Sequence, residues 1–194
     1  MTKQKTASEL LAELAANKEY VAMRAAKDAQ LRKEGAELAA AEKPIVEALK
    51  SVGLNVVSVW DLVNSTEPYS QAIPILFEHL QGAYPEKILE GVIRSLAIPE
   101  SRPRWGEILD FFEKAPSGRT GSLKWAAACA LDAAADDDLI SEVIRIVSDA
   151  SYGTVRIALL PSLARSRDAR AGMLLDKLSG DPVLGREIQR LRRK

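Results

Sequence analysis

The sequence repeats itself over its second half with a spacing of 31 to 35 residues. Three segments that begin at Arg94, Cys129 and Pro161 align, and they place leucines at Leu96, Leu131 and Leu163 and further apolar residues at Phe112, Val147 and Leu178. A unit of this length is typical of an apolar helix, a turn and a second amphipathic helix. One helix pair cannot bury its apolar stripe alone, whereas stacked pairs share a continuous core, so the repeat predicts a stack of paired helices.

The composition indicates helices in the rest of the chain as well. Aromatic residues make up only 5% of the 194 residues, while Ala, Leu, Glu and Arg are plentiful, and these four are more favourable in helices than in sheets. The best candidate for a strand is the β-branched run from Leu54 to Val59, which fits equally well the end of one helix and the start of the next. The expected fold class is therefore all-α.

The N-terminal part differs from the repeats because it is long, charged and uninterrupted. From Ser8 to Val52 it reads as one or two helices, and Pro44 is expected to open a new helix as its first residue. Ile45, Val46 and Leu49 would then form the buried face of that helix. These features predict two regions, an N-terminal helical extension over residues 1–52 and a repeat domain over residues 53–194.

The stretch from Arg24 to Glu42 within this extension reads as a charged, largely solvated helix. A heptad repeat fitted to the apolar residues of the whole extension places Asn17, Arg24, Asp28 and Gly35 at core positions. Such a core is too polar for a stable two-stranded coiled coil. Self-association through the N-terminal helices is still one expectation for this region.

Charge is balanced overall but unevenly distributed. The chain carries 27 basic and 27 acidic residues, so no global field draws it to nucleic acid or to an anionic membrane. Residues 1–50 have a net charge of +1, residues 51–151 of −7 and residues 152–194 of +6. The basic set near the C-terminus is either a solvated end or a contact for an acidic protein or a nucleic-acid backbone; its members are Arg165, Arg167, Arg170, Arg186, Arg190, Arg192, Arg193 and Lys194.

The repeated two-helix unit resembles the HEAT-repeat and armadillo-type helical solenoids. The resemblance extends from Tyr69 to Leu191, and the stretch SVWDLVN (Ser58 to Asn64) with the preceding helix looks like an N-terminal extension of bacterial HEAT-repeat proteins. The resemblance implies a right-handed α-α superhelix of three to four helix pairs with a curved surface. Most members bind proteins there, and a few bind nucleic acid or a chromophore-bearing protein. A proline in the first helix occurs only at Pro74, and the Asp and Arg ladder of the family is irregular.

No residue pattern points to catalysis, to a metal or to a cofactor. His79 is the only histidine and Cys129 the only cysteine, so a zinc site of the usual composition is not expected. Asp136, Asp137 and Asp138 lack the spacing of a calcium loop and are expected to cap a helix. The glycines of APSGRTGS (residues 115–122) lack the strand and the lysine of a phosphate-binding loop. We therefore expect a protein that is not an enzyme.

Binding residues are expected on the second helix of each pair, which usually lines the concave face of a solenoid. The charged candidates there are Glu90, Arg94, Lys124 and Arg156, all expected to be exposed. The leading hypothesis is a bacterial adaptor, or an inhibitor or immunity-like protein, that binds another protein. No apolar run reaches the ~20 residues of a membrane span and the first residues do not read as a signal peptide, so a cytoplasmic location is expected.

The alternative hypothesis is a nucleic-acid-binding protein related to the HEAT-like alkylpurine DNA glycosylases. That group uses aromatic and acidic residues on the concave face to hold damaged DNA, and the aromatic candidates here are Trp60, Trp105 and Trp125. Packing within the core is the more usual role of such tryptophans. A flipped-base enzyme also needs a basic groove, whereas the middle third of this chain is acidic.

Overall fold

The computed structural model describes residues 6–116 and 123–193, and all the regular structure within them is helical. The α-helices are α1 (Ala7–Ala16), α2 (Lys18–Ser51), α3 (Trp60–Val63), α4 (Ile73–Leu80), α5 (Glu86–Ser95), α6 (Trp105–Lys114), α7 (Leu123–Ala134), α8 (Ile140–Ser148), α9 (Leu160–Arg165), α10 (Ala169–Lys177) and α11 (Gly185–Leu191). Short 3-10 segments cover Ser70–Ala72, Pro99–Arg104, Ala150–Leu159 and Leu178–Gly180. The possible strand from Leu54 to Val59 is an irregular connection, and the prediction of an all-α protein is confirmed.

The chain forms two compact units, residues 1–41 and residues 42–194. In the first unit, Thr6 caps α1, because its hydroxyl accepts the backbone N–H of Glu9 while the Glu9 carboxylate accepts the N–H of Thr6. The Asn17 side chain then accepts the N–H of Tyr20 at the start of α2. Residues 21–37 of α2 are exposed throughout, which confirms most of the predicted solvated stretch. Self-association through this unit stays a prediction.

Helix α2 runs without a break through Pro44, so the prediction of a new helix at this residue is wrong. A proline inside a helix has no N–H to donate to the carbonyl four residues earlier, here that of Ala40. Both Pro44 and Ala40 are exposed, so water can bind this carbonyl. Burial of Ile45 and Leu49 on the opposite face, which the sequence predicted, favours continuation of the helix.

The three aligned segments run from the end of α5 into α6, from α7 into α8, and from α9 into α10. The leucines at 96, 131 and 163 are all buried, as are Phe112 and Val147, whereas Leu178 is only half-buried and Leu175 takes the buried position one turn earlier. Helix α7 packs against α5, α6 and α9 and against the segment Ala150–Leu159. Helix α8 packs against α9 and α10. Helices of successive segments thus pack against one another, while a superhelix of helix pairs stays a prediction.

Polar contacts of buried residues fix the first helices of this unit. The Glu42 carboxylate, near the end of α2, accepts the N–H of Val59 at 2.6 Å and so ties α2 to the start of α3. Helix α3 packs closely on α5 because residue 91 is glycine, where a Cβ atom would lie 2.5 Å from Cγ1 of Val59. The indole N–H of Trp105 donates to the Leu131 carbonyl at 3.0 Å and joins α6 to α7.

None of the described helices combines the length and the apolar character that crossing a lipid bilayer requires.

Candidate functional site

A surface cleft of about 540 Å³ lies where α3, α5 and α7 meet the connection between α3 and α4. We call it the Arg94 cleft. Its lining is Leu62, Val63, Ser65, Thr66, Glu67, Pro68, Tyr69, Ser70, Arg94, Ala97, Ile98, Glu100 and Cys129. Aliphatic side chains and a proline make up part of this lining, and charged side chains make up another part. This combination of an apolar surface with polar groups is typical of a binding site.

The connection that forms one wall of the Arg94 cleft is anchored by Tyr69. The Tyr69 ring is buried and its hydroxyl donates to the Ser95 carbonyl at the end of α5, at 3.0 Å. Burial raises the pKa of Tyr69 above its ordinary value, and the nearby Glu100 carboxylate raises it further. Earlier in the connection, the Ser65 hydroxyl donates to the Glu67 carbonyl and accepts the Glu67 N–H. These contacts hold the wall in one conformation.

Arg94 is held in place by Glu90, one turn earlier on α5. The guanidinium lies 2.8 Å from Oε1 of Glu90, and the two side chains are 30% and 23% exposed. The structure therefore brings together two of the four predicted binding residues. Glu67 and Glu100 also line the cleft, are exposed and make no ion pair within the described residues. The charged residues of the lining are thus two carboxylates and one guanidinium that is already paired with Glu90, so the cleft carries a net negative charge.

The Cys129 thiol lines the Arg94 cleft from α7. Burial raises the pKa of Cys129 above its ordinary value; the charge of Arg94 opposes this shift and that of Asp132 adds to it. The thiol is therefore protonated near neutral pH and is a weak nucleophile. His79 does not line the cleft, and its Nδ1 lies 2.6 Å from the Tyr84 hydroxyl. The formally possible Cys–His pair is thus not assembled.

Lys124 and Arg156 are buried, at 7% and 3% exposure, so their predicted exposure is wrong. The Lys124 ammonium donates to the Ala115 carbonyl at 3.2 Å and lies 5.1 Å from the centre of the Phe112 ring. The Arg156 guanidinium donates to the carbonyls of Gly153 and Val147 and lies 3.5 Å from an Asp181 oxygen. Both side chains are buried and donate hydrogen bonds to backbone carbonyls, so they cannot form a recognition surface.

The aspartates at 136–138 do not cap α8, which has no side-chain hydrogen bond at its N-cap residue Leu139. Instead, Asp137 accepts the Ser166 hydroxyl at 2.6 Å and the Arg167 N–H at 3.1 Å. These two hydrogen bonds lower the pKa of Asp137 below its ordinary value. Within the described residues no group of His, Cys, Asp or Glu could hold a metal ion. The glycines at 118 and 121 lie outside the described residues.

The three tryptophans do not form an aromatic platform at the cleft, since none of them is among its lining residues. Trp105 is buried between α6 and α7, and Trp60 packs against Gly91. Trp125 is half-buried in α7. Core packing accounts for the first two of them.

No family model, no curated protein sequence and no solved structure matches the chain. The resemblance to HEAT-repeat proteins therefore stays a prediction. What the fold and the site define is an all-α protein of packed helices with a negatively charged cleft.

Proposed function

We propose that the chain is a non-enzymatic protein-binding module that receives a segment of another protein in the Arg94 cleft. The single observation that carries this proposal is the lining of the cleft. The half-buried Val63 and Ile98 offer apolar surface, and Glu67 and Glu100 add exposed charge to the same lining. An apolar centre with a polar rim is the usual anatomy of a protein–protein interface.

The charge of the cleft indicates what kind of segment it binds. Glu67 and Glu100 have no ion-pair partner within the described residues, and Arg94 is already paired with Glu90. A Lys or Arg side chain next to an aliphatic side chain complements this arrangement, whereas an acidic segment is repelled. The proposed role is that of an adaptor or inhibitor in a bacterial cytoplasm, built from helix pairs that stack as in a HEAT-like solenoid.

The test is capture of partners from native lysate by the intact chain and by the double variant Glu67→Lys, Glu100→Lys. The variant places two cations where a basic segment is expected, and this like-charge contact lowers capture of the main partner by at least about tenfold. Quantitative mass spectrometry of the retained proteins measures the difference. Both residues are exposed and unpaired, so circular dichroism should show an unchanged fold.

The matched control is Asp28→Lys, Glu78→Lys, which makes the same change of charge at two exposed helix positions outside the cleft. This control should retain the partner in the same amount as the intact chain. Equal capture by the intact chain and by the cleft variant, or no stoichiometric protein captured by either, would show that the cleft is not the recognition site.

A further inference from the structure

Helix α11 presents a row of arginines to solvent. Arg186 and Arg190 are exposed and lie one turn apart on α11, and the exposed Arg193 follows in the turn after the helix ends at Leu191. With Gln189 they line a groove of about 440 Å³. We call these three residues the α11 stripe. The opposite face of α11 is fixed to the protein, since Leu184, Gly185 and Ile188 are buried and the helix packs on α9 and on Leu178–Gly180.

The α11 stripe differs from the other basic residues near the C-terminus in how little of its charge is neutralised. Arg165, Arg170 and Arg192 form ion pairs with Asp132, Asp168 and Asp176. Within the described residues, Arg186 and Arg193 form no ion pair, whereas Arg190 lies 3.4 Å from both carboxylate oxygens of Glu187. Lys194, the last of the basic set, lies outside the described residues.

The chemistry of the groove selects the class of partner. Three arginines and one glutamine line it, with no aliphatic or aromatic residue among them. A protein partner needs an apolar anchor to bind tightly, whereas a phosphate backbone is bound by cations alone through the release of counterions. Arginine also fits phosphate oxygens with two parallel N–H donors. The groove therefore suits nucleic acid better than an acidic protein.

We propose that the α11 stripe binds the phosphate backbone of double-stranded nucleic acid without sequence preference. The guanidiniums of Arg186 and Arg190 lie one helical turn apart on α11, that of Arg193 follows in the turn after it, and each of the three contacts a phosphate oxygen. No aromatic side chain in the groove offers a stacking surface for an unpaired base, so the duplex form is preferred. This surface shares no lining residue with the Arg94 cleft and goes beyond the proposed protein-binding function.

The experiment measures binding of a fluorescently labelled DNA duplex of about 20 base pairs by anisotropy over a range of salt concentrations. With three phosphate contacts the logarithm of Kd should rise with the logarithm of salt with a slope of about 2.7, which weakens binding about 40-fold between roughly 50 and 200 mM. The variant Arg186→Gln, Arg190→Gln, Arg193→Gln should lose this salt dependence.

A matched control removes three arginines that are held in ion pairs elsewhere, Arg102→Gln, Arg104→Gln, Arg145→Gln. It changes the net charge by the same amount and should keep both the affinity and the slope. Absence of binding by the intact chain at about 50 mM salt, where phosphate contacts are strongest, overturns the proposal. So does an equal loss of affinity in the control. Glu67→Lys, Glu100→Lys should still bind the duplex, so the two proposals fail independently.

Discussion

Replacing Arg156 by glutamate should unfold the unit formed by residues 42–194, which is the largest effect that we expect of any single substitution. The Arg156 side chain is 3% exposed, and its guanidinium contacts two backbone carbonyls and Asp181. A carboxylate at this position would lie buried beside these same oxygen atoms. Loss of one partner of a buried ion pair already costs about 3–5 kcal/mol, against a total stability of about 5–15 kcal/mol for a typical protein.

Thermal unfolding followed by circular dichroism measures this effect. Arg156→Glu should show no cooperative transition or a strongly lowered Tm, and Arg156→Met, which keeps part of the aliphatic stem, should be less severe. The control is Arg186→Glu, the same change at an exposed and unpaired position, for which we expect a change within about 0.5 kcal/mol. A Tm of Arg156→Glu equal to that of the intact chain would contradict the structural role of this residue.

Replacing Asp132 by alanine should lower the free energy of unfolding by about 3 kcal/mol, because several hydrogen bonds to a charged group are lost together. The Asp132 side chain, on α7, is 15% exposed. Its carboxylate accepts the Ser162 N–H at 2.7 Å, the Ser162 hydroxyl and a guanidinium nitrogen of Arg165 at 3.2 Å. These contacts join α7 to α9, so their loss weakens the packing of these two helices.

Urea denaturation of the intact chain, Asp132→Ala and Asp132→Asn gives the relevant free energies. The asparagine variant keeps an oxygen that accepts the Ser162 N–H and should recover part of the loss. Asp110→Ala serves as the control, because Asp110 forms an exposed ion pair with Lys114 on the same helix, and such pairs contribute little. Equal stability of the Asp132→Ala and Asp110→Ala variants would mean that the contact between α7 and α9 does not depend on Asp132.

The all-α class and the burial of the aligned leucines could be predicted from the sequence because both depend on local periodicity. The buried positions of Leu96, Leu131 and Leu163 follow from a spacing of about one helix pair. Continuation of α2 through Pro44 could not be predicted in the same way. The sequence indicated the buried face at Ile45 and Leu49, but not that Ala40 and Pro44 both lie exposed, which depends on how the rest of the protein packs around the helix.

The candidate site was predictable only in part. Glu90 and Arg94 form one pair because they are one helical turn apart, a relation visible in the sequence. Lys124 and Arg156 were predicted to be exposed because a charged side chain is usually solvated. Their burial depends on carbonyl groups at Ala115 and Val147, each nine residues away in sequence.

The remaining wall of the Arg94 cleft comes from connections that follow no repeat. Glu67 and Glu100 lie 33 residues apart, in the connection between α3 and α4 and in the 3-10 segment Pro99–Arg104, and the hydrogen bond between Tyr69 and the Ser95 carbonyl joins that connection to the end of α5. The signal available in the sequence was the acidic character of residues 51–151, which indicates the sign of the site's charge without locating it.

Chemical modification of Cys129 tests directly whether a partner binds in the Arg94 cleft, because this residue lines the cleft and is the only cysteine in the sequence. The rate at which a maleimide modifies this thiol reports whether the cleft is occupied. With the captured partner at saturation, the rate should fall several-fold for the intact chain, while excess partner should leave the rate of the Glu67→Lys, Glu100→Lys variant unchanged. An unchanged rate in the saturated complex of the intact chain would show that the partner binds outside the Arg94 cleft.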